Sequence, residues 1–254
     1  MAVLLLTAMH LKQPIKSLAV AVRRFGIPKR KPIIVRVLEH DPQAFTQGLA
    51  YHKGRLYEST GLEGQSSLRH LNPESGEVEA LVPLEQGWGE GIAIVDNSLV
   101  QLTWKAGVAH AYAIEDLRKV GEFTYDGEGW GLASANGSFV MSNGSDVLCF
   151  RDREFSVQRH LPVKLRGSPV ELLNDLEHVN GRIYANVLHD NHIYEISAQS
   201  GKVTKIIDCS ELVALAKPAS ASAVMNGIAY NPSSGSFFLT GKNWTKLFEV
   251  LIPD

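Results

Sequence analysis

Cysteine is scarce in this chain of 254 residues, which holds two, Cys149 and Cys209. Two isolated cysteines without a Cys-x-x-Cys spacing supply neither a disulfide framework nor a zinc site, and we expect both to be buried free thiols. The nine histidines include no His-x-x-x-His pair, and His189 with His192 comes nearest to a metal motif. The sequence therefore predicts neither a metal site nor another cofactor.

Long apolar runs are also missing, so we expect no helix that spans a membrane. Residues 1–31 contain no acidic residue but seven of the 25 basic ones, which leaves 18 basic against 27 acidic residues in the rest of the chain. An acidic body argues against nucleic acid as a partner. We interpret residues 1–31 as a basic arm outside the core. A targeting segment, an amphipathic surface helix and a wrongly chosen start codon all fit it, although its apolar stretches make a poor signal peptide.

Residues 32–254 contain one unit repeated five times. The repeats begin at steps of 43, 40, 44 and 52 residues, at Gln47, Glu90, Trp130, Asn174 and Asn226. In each repeat a second segment opens with a turn residue and continues in β-forming residues, at 54–60, 97–103, 137–143, 181–187 and 235–241. A third strand-like segment follows in every repeat and a fourth in all but the last, so we expect the isolated segment Ile33–Glu39 to complete the last unit.

Four-stranded units of 40 to 45 residues around a central axis are typical of a β-propeller, and five units lie within the known range. We therefore predict an all-β, five-bladed propeller that forms one domain and is closed by its N-terminal strand. The last step is long because it contains an insertion. There, residues 211–217 predict one short surface helix, with Ser210 as its N-cap and Pro218 as its stop.

Equivalent positions in the blades of a propeller form rings around its axis. The five residues that begin the repeats form one predicted ring. The residues that follow the second strands form another near the same face: Gly61, Trp104, Gly144, Leu188 and Lys242. Together the rings hold an acid, a lysine, amides and tryptophans, which suits a pocket with an apolar wall and a few polar anchors. The acid, Glu90, lies between glycines and next to Trp88, which can desolvate the carboxylate and raise its pKa.

Several separate stretches, in the right order, make the chain resemble the plant and bacterial type of glutaminyl-peptide cyclotransferase (glutamine cyclotransferase). They are FTQGL at 45–49, ESTGL at 58–62, GEG at 89–91, GWGLA at 129–133, LN at 173–174, NGIA at 226–229, and TGK at 240–242 followed by KLFE at 246–249. The resemblance covers residues 33–252. It implies a five-bladed propeller that converts the N-terminal glutamine of peptides or proteins to pyroglutamate and releases ammonia without a catalytic metal. It favours an extracytoplasmic site, and we expect a monomer.

The resemblance also implies roles for single residues. Glu90 matches the family's acid/base residue, since one carboxylate can take a proton from the attacking amine and deliver it to the departing nitrogen. Lys242 would stabilise the developing oxyanion. The predicted substrate-binding residues are Phe45, Gln47, Trp88, Trp104, Trp130 and Asn174. The aromatic ones would form a dry wall, and the amides would bind polar groups of the substrate.

One departure from the family pattern bears on the pocket. Leu188 stands where the plant motif has a third tryptophan, and a lost aromatic would weaken substrate stacking by about 0.5–1.5 kcal/mol. A non-catalytic propeller that binds a peptide or a protein partner through the same face is therefore an alternative. A metal-dependent, lactonase-like hydrolase would need Glu90, Asn174 and Asp175 to converge, but strand alternation should point Asp175 off the ring. We interpret Asn226 as structural.

Overall fold

Five four-stranded antiparallel sheets account for most of residues 26–254, the part of the chain that this computed structural model describes. Blade I comprises β3 (Thr46–His52), β4 (Arg55–Thr60), β5 (Ser67–Leu71) and β6 (Val78–Pro83). Blade II comprises β7 (Gly89–Val95), β8 (Ser98–Thr103), β9 (Val108–Ala113) and β10 (Lys119–Thr124). Blade III comprises β11 (Leu132–Ala135), β12 (Ser138–Met141), β13 (Val147–Arg151) and β14 (Val157–Pro162).

The last two blades contain the elements that depart from a plain repeat. Blade IV comprises β17 (Leu173–Val179), β18 (Arg182–Val187), β19 (His192–Ser197) and β20 (Val203–Asp208), and it follows a short hairpin of β15 (Lys164–Leu165) and β16 (Ser168–Pro169). Blade V comprises β21 (Met225–Asn231), β22 (Ser236–Gly241), β23 (Lys246–Leu251) and, from the other end of the chain, β2 (Ile33–Glu39). The predicted five-bladed propeller is thereby confirmed.

The closing strand joins the two ends of the propeller. β2 pairs antiparallel with β23, from Ile33 opposite Leu251 to Glu39 opposite Lys246, as the incomplete fifth repeat predicts. Just before it, β1 (Lys29–Arg30) lies within the predicted basic arm and pairs parallel with β20 at the outer edge of blade IV. The rest of that arm, residues 1–25, lies outside the described residues.

Turn chemistry explains several of the hairpins between first and second strands. In blades I, III and IV these strands are joined by Lys53-Gly54, Asn136-Gly137 and Asn180-Gly181, and all six residues have positive φ. Two consecutive residues with positive φ form a type I′ turn, whose twist matches that of the flanking strands, and glycine and asparagine adopt this conformation most readily.

Apolar side chains from neighbouring blades pack together in five clusters among the described residues. One example joins blades I and II through Tyr57, Leu68, Ile92 and Leu99. Burial between successive sheets therefore holds the blades together.

Both cysteines are free, Cys209 buried and Cys149 half-buried.

The inserted helix α1 (Ser210–Ala216) lies where it is predicted, but its N-cap prediction was wrong. Cys209 is the capping residue and makes no side-chain capping bond. Ser210 is instead the first helical residue, and its hydroxyl donates to Asp208 Oδ1 at 2.6 Å. The helix ends at Lys217, which adopts a left-handed conformation before Pro218. Among the described residues no helix has the length and apolarity needed to cross a membrane.

Candidate active site

The residues that begin the repeats sit at irregularities in the innermost strands. The pairing of first with second strands shifts register between Thr46 and Gly48, Gly89 and Ile92, Leu173 and Leu176, and Met225 and Ile228. Such bulges interrupt the alternation of side chains and re-aim the residue at the bulge. Four of the five predicted ring residues, Gln47, Glu90, Asn174 and Asn226, are buried at these bulges.

The innermost strands approach one another closely at the propeller axis. A Cβ added to Gly48 would lie 2.8 Å from the Cα of Gly91, and one added to Gly91 would lie 2.7 Å from the Cα of Gly131. Only glycine fits such backbone-to-backbone contacts. A Cβ at Gly131 would in turn overlap the carbonyl oxygen of Asn174. These glycines therefore bring the ring residues that precede them close together.

Blade IV has Asp175 where the first three blades have these glycines. Its carboxylate is fully buried and reaches across the axis, where Oδ2 accepts hydrogen bonds from the backbone N–H of Ile228 at 2.8 Å and of Leu49 at 3.3 Å. Burial raises the pKa of Asp175 well above its ordinary value. The expectation that Asp175 points off the ring was wrong, because the bulge between Leu173 and Leu176 breaks the alternation on which it depended.

Glu90 lies near this carboxylate and is 5% exposed. The one side-chain hydrogen bond that it makes with the described residues comes from Gln47, whose Nε2 donates to Glu90 Oε1 at 2.8 Å. Burial raises the pKa of Glu90 well above its ordinary value. The positive charge of Lys242 opposes this rise, while the negative charges of Asp175 and Glu128 add to it. The carboxyl group is therefore biased to hold a proton.

Lys242 follows β22 and is the buried cation of the site, at 7% exposure. Burial lowers its pKa, and the nearby carboxylates of Glu90 and Asp175 oppose that change. Its Nζ lies 4.7 Å from the ring centroid of Phe45, which is a cation–π contact. The sequence-predicted pair of Glu90 and Lys242 is thus brought within electrostatic range in one buried environment.

Phe45, Trp88, Trp104 and Trp130 form a row that we call the aromatic arc, in which Glu128 joins the last two rings. Ring centroids of Phe45 and Trp88 are 5.9 Å apart, and those of Trp88 and Trp104 are 5.4 Å apart, both in edge-to-face geometry. The indole N–H groups of Trp104 and Trp130 donate to one oxygen, Oε2 of Glu128. The four rings come from blades I, II and III, so tertiary packing assembles this wall.

Two glycines of the second predicted ring make room for the arc. A side chain at Gly61 would overlap the indole nitrogen of Trp88, and a Cβ at Gly144 would lie 2.7 Å from the Trp130 ring. Leu188, the blade IV member of that ring, is half-buried and supplies no aromatic ring. The arc therefore covers the first three blades and ends before the fourth.

Three buried polar atoms of the predicted substrate-binding residues have no hydrogen-bond partner among residues 26–254. They are Gln47 Oε1, Asn174 Oδ1 and Trp88 Nε1. Leaving a buried polar group unpaired costs about 1–3 kcal/mol, so such a cluster indicates a place for a polar ligand. By contrast, Asn226 is used internally, since its Nδ2 donates to the backbone oxygens of Thr46 and Gln47 at 3.1 Å each.

Sequence reasoning missed Glu128 as part of this site. Glu128 precedes Trp130 by two residues, at the repeat position that Phe45 and Trp88 hold in blades I and II, but a carboxylate there breaks the aromatic pattern of those blades. Its position between two indoles follows only from the packing of blade II against blade III.

Two surface cavities lie elsewhere on the molecule. One of about 1040 Å³ lies between blades I and II, and one of about 800 Å³ between blades II and III; neither is lined by Glu90 or Lys242. We place the functional site by its buried charges and unpaired polar atoms, because cavity volume alone carries no chemistry. Within residues 26–254 no three His, Cys, Asp or Glu side chains lie close enough together to hold a metal ion.

The fold and the site define a class of protein: a five-bladed β-propeller with a buried carboxyl, a buried lysine and an aromatic wall. A family described as glutamine cyclotransferase matches residues 4–252, and the chain belongs to this family. The match begins at residue 4, well ahead of residue 33, where the motif resemblance starts.

Two relatives support the same assignment. The glutaminyl-peptide cyclotransferase of Arabidopsis thaliana is 35% identical over 224 residues, which cover 85% of this chain and 70% of the relative. The crystal structure of Myxococcus xanthus glutaminyl cyclase is similar with a TM-score of 0.84 at 40% identity, over 89% of this chain and 98% of that one.

Proposed function

We propose that this chain converts the N-terminal glutamine of peptides or proteins to pyroglutamate and releases ammonia, with Glu90 as general acid and base. Family membership supports the reaction class. The observation that carries the assignment of Glu90 is a buried carboxyl with a raised pKa, which lies near Lys242 and is hydrogen-bonded to Gln47, whose Oε1 is itself unpaired. A carboxyl whose pKa lies closer to neutrality exchanges protons more effectively at neutral pH.

In the first step the neutral α-amine attacks the side-chain amide carbon of the same glutamine. Glu90 reacts in its carboxylate form and accepts the proton that the amine loses as the new C–N bond forms. The amide oxygen then carries negative charge, and the ammonium group of Lys242 stabilises it. Holding the amine against the amide carbon is a proximity effect that the buried pocket supplies.

In the second step Glu90 returns the proton to the amide nitrogen. The bond between the carbon and this nitrogen breaks, ammonia leaves, and the oxyanion collapses to the carbonyl of the five-membered lactam. Protonation is necessary because an amide anion is a very poor leaving group. One carboxyl thus serves both steps and ends in its starting state, so we propose that no catalytic metal takes part.

The unpaired acceptors suit the donors of this substrate. Gln47 Oε1 and Asn174 Oδ1 would accept hydrogen bonds from N–H groups of the glutamine, while Gln47 Nε2 stays on Glu90 and orients it. The aromatic arc would exclude water from the reacting atoms, which strengthens the electrostatic interactions there.

The test is turnover of a glutamine-initiated dipeptide by purified protein, measured as ammonia release, with Glu90→Gln compared with Glu63→Gln on the exposed surface. Glu90→Gln should lower kcat by about 10²–10⁴-fold, the range typical of general acid–base catalysis, with an unchanged far-UV circular dichroism spectrum. Glu63→Gln should behave as the unmodified protein, and turnover should survive chelator treatment.

A near-normal rate in Glu90→Gln would show that the base is another residue. Binding of the dipeptide without turnover by the unmodified protein would favour the non-catalytic peptide-binding alternative, for which Leu188 in place of an aromatic residue is the supporting observation.

A further inference from the structure

Glu128 links two tryptophans of the aromatic arc through a single oxygen atom. Its Oε2 accepts the indole N–H of Trp104 at 2.7 Å and that of Trp130 at 3.0 Å. Trp104 follows β8 of blade II, whereas Trp130 precedes β11 of blade III. The two rings do not contact each other directly, so the carboxylate fixes the distance between them.

The loop that carries Glu128 is itself held in place. The backbone N–H of Gly129 donates to the carbonyl of Trp104 at 2.9 Å, and that of Trp130 donates to the carbonyl of Ser142 at 3.0 Å. The second carboxylate oxygen, Oε1, lies 3.7 Å from the Nζ of Lys105. That same Nζ lies 3.9 Å from the ring centroid of Trp104. Indoles on one oxygen and an ammonium near the other leave the carboxylate little freedom to rotate.

We propose that Glu128 is a positioning residue for the cyclisation: its carboxylate clamps the indoles of Trp104 and Trp130 in the orientation that forms the dry wall beside Glu90. The inference rests on the proposed function of this site. Trp104 and Trp130 are predicted to touch the substrate, and Glu128 acts through them. Two indoles that share one acceptor cannot turn independently, so the clamp sets the position of each ring relative to the other.

The negative charge of Glu128 has a second effect that makes the role measurable. The charged or titratable groups that face Glu90 are Lys242 from blade V, Asp175 from blade IV, and Glu128 and Tyr125 from the segment between blades II and III. The charge of Glu128 adds to the rise in the pKa of Glu90. The hydrogen bonds from Trp130 and Trp104, together with Lys105, lower the pKa of Glu128 itself, so it stays anionic while Glu90 titrates.

Two substitutions separate the clamp from the charge. Glu128→Gln keeps an oxygen that accepts from the indoles but removes the charge, whereas Glu128→Ala removes both. Glu122→Gln, which neutralises an exposed carboxylate on the preceding strand β10, is the control. The readouts are kcat and KM for a glutamine-initiated dipeptide, the pH dependence of kcat/KM, and acrylamide quenching of indole fluorescence.

In Glu128→Ala we expect KM to rise about tenfold with a smaller change in kcat, and the indoles to be quenched more readily. In Glu128→Gln we expect KM and quenching close to those of the unmodified protein. In both variants the acidic limb of the pH profile of kcat/KM should move to lower pH, because loss of the negative charge of residue 128 lowers the pKa of Glu90. The substrate amine titrates identically in all assays, so a shift of the acidic limb between variants reports a change in the enzyme.

Unchanged KM and unchanged quenching in Glu128→Ala would overturn the clamp. An acidic limb that moves equally in Glu122→Gln would overturn the electrostatic part, because the effect would then reflect overall charge. Absence of turnover in the unmodified protein would refute the proposed function instead, and quenching would still decide whether Glu128 holds the two indoles.

Discussion

Two buried glutamates in neighbouring blades have opposite electrostatic surroundings. Glu58 on β4 is fully buried, and its Oε1 accepts hydrogen bonds from His40 Nε2 at 2.9 Å and Thr46 Oγ1 at 2.7 Å. Its Oε2 lies 3.8 Å from the guanidinium of Arg69. Burial alone would raise the pKa of Glu58, but these partners outweigh it and lower the pKa, whereas the pKa of Glu90 is raised.

The difference lies in the number of donors, since burial is nearly the same. Both ring nitrogens of His40 face oxygen acceptors, Glu58 and the carbonyl of Trp244, which only the protonated imidazole can satisfy as a donor at both positions. Glu58 therefore belongs to a charged network that joins the loop after β2 to blades I and V. Within residues 26–254 Glu90 has a single neutral donor, which leaves it able to exchange a proton and separates a structural acid from a proposed catalytic one.

The largest expected contrast is in stability. Glu58→Gln removes one partner from a buried ion pair and should lower the free energy of unfolding by about 3–5 kcal/mol. Glu90→Gln should change it by no more than about 1 kcal/mol, since the amide oxygen still accepts from Gln47. Urea unfolding of both variants measures the difference, and equal losses would remove the distinction between the two acids.

A second contrast is the pH dependence of the Glu58 network. The pKa of Glu58 is lowered from 4.5, so its contribution is present above that pH and is lost as pH falls through the folded-state pKa. The pKa of His40 is raised from 6.5, so its contribution is complete below that pH and is lost as pH rises through the folded-state pKa.

The stability difference between the unmodified protein and Glu58→Gln should therefore be greatest between about pH 4.5 and 6.5 and should decline on either side. Unfolding curves for both proteins from acidic to alkaline pH provide the measurement. A difference that grows steadily with pH would show that His40 is not charged in the folded protein.

The smallest contrast compares two adjacent residues of β3. Thr46 donates to Glu58, while Gln47, at the bulge, donates to Glu90. Thr46→Val should cost about 1 kcal/mol of stability with little change in turnover. Gln47→Met should lower kcat/KM about tenfold, equivalent to ~1.4 kcal/mol, with little change in stability. A stability loss in Gln47→Met that matches Thr46→Val would mean that both side chains serve the fold alone.

Much of the architecture could be predicted because it repeats. Five copies of one strand pattern, the missing strand in the last copy and the isolated strand at Ile33–Glu39 together imply closure of the ring. The burial of Glu90 and its proximity to Gln47 and Lys242 likewise follow from equivalent positions around one axis. Repetition makes distant residues comparable without knowledge of their contacts.

The errors arose where the chain departs from its own repeat. Asp175 was expected to point off the ring, but a bulge between Leu173 and Leu176 turns it across the axis. Ser210 has the chemistry of an N-cap, yet its hydroxyl is bound to Asp208 and Cys209 takes the capping position. Glu128 stands at the repeat position that holds Phe45 and Trp88 in blades I and II, and its role could not be recognised before its two indole partners were located.

By itself the amino-acid sequence determined the number of blades, the strand that closes them and most of the side chains around the axis, because repeat length is a property of the local chain. Only the tertiary structure decided how those side chains are protonated and paired. Bulges, the close approach of glycine backbones and the count of donors around each carboxylate depend on contacts between blades, and these contacts make Glu58 a charged structural acid and Glu90 a carboxyl that favours its proton.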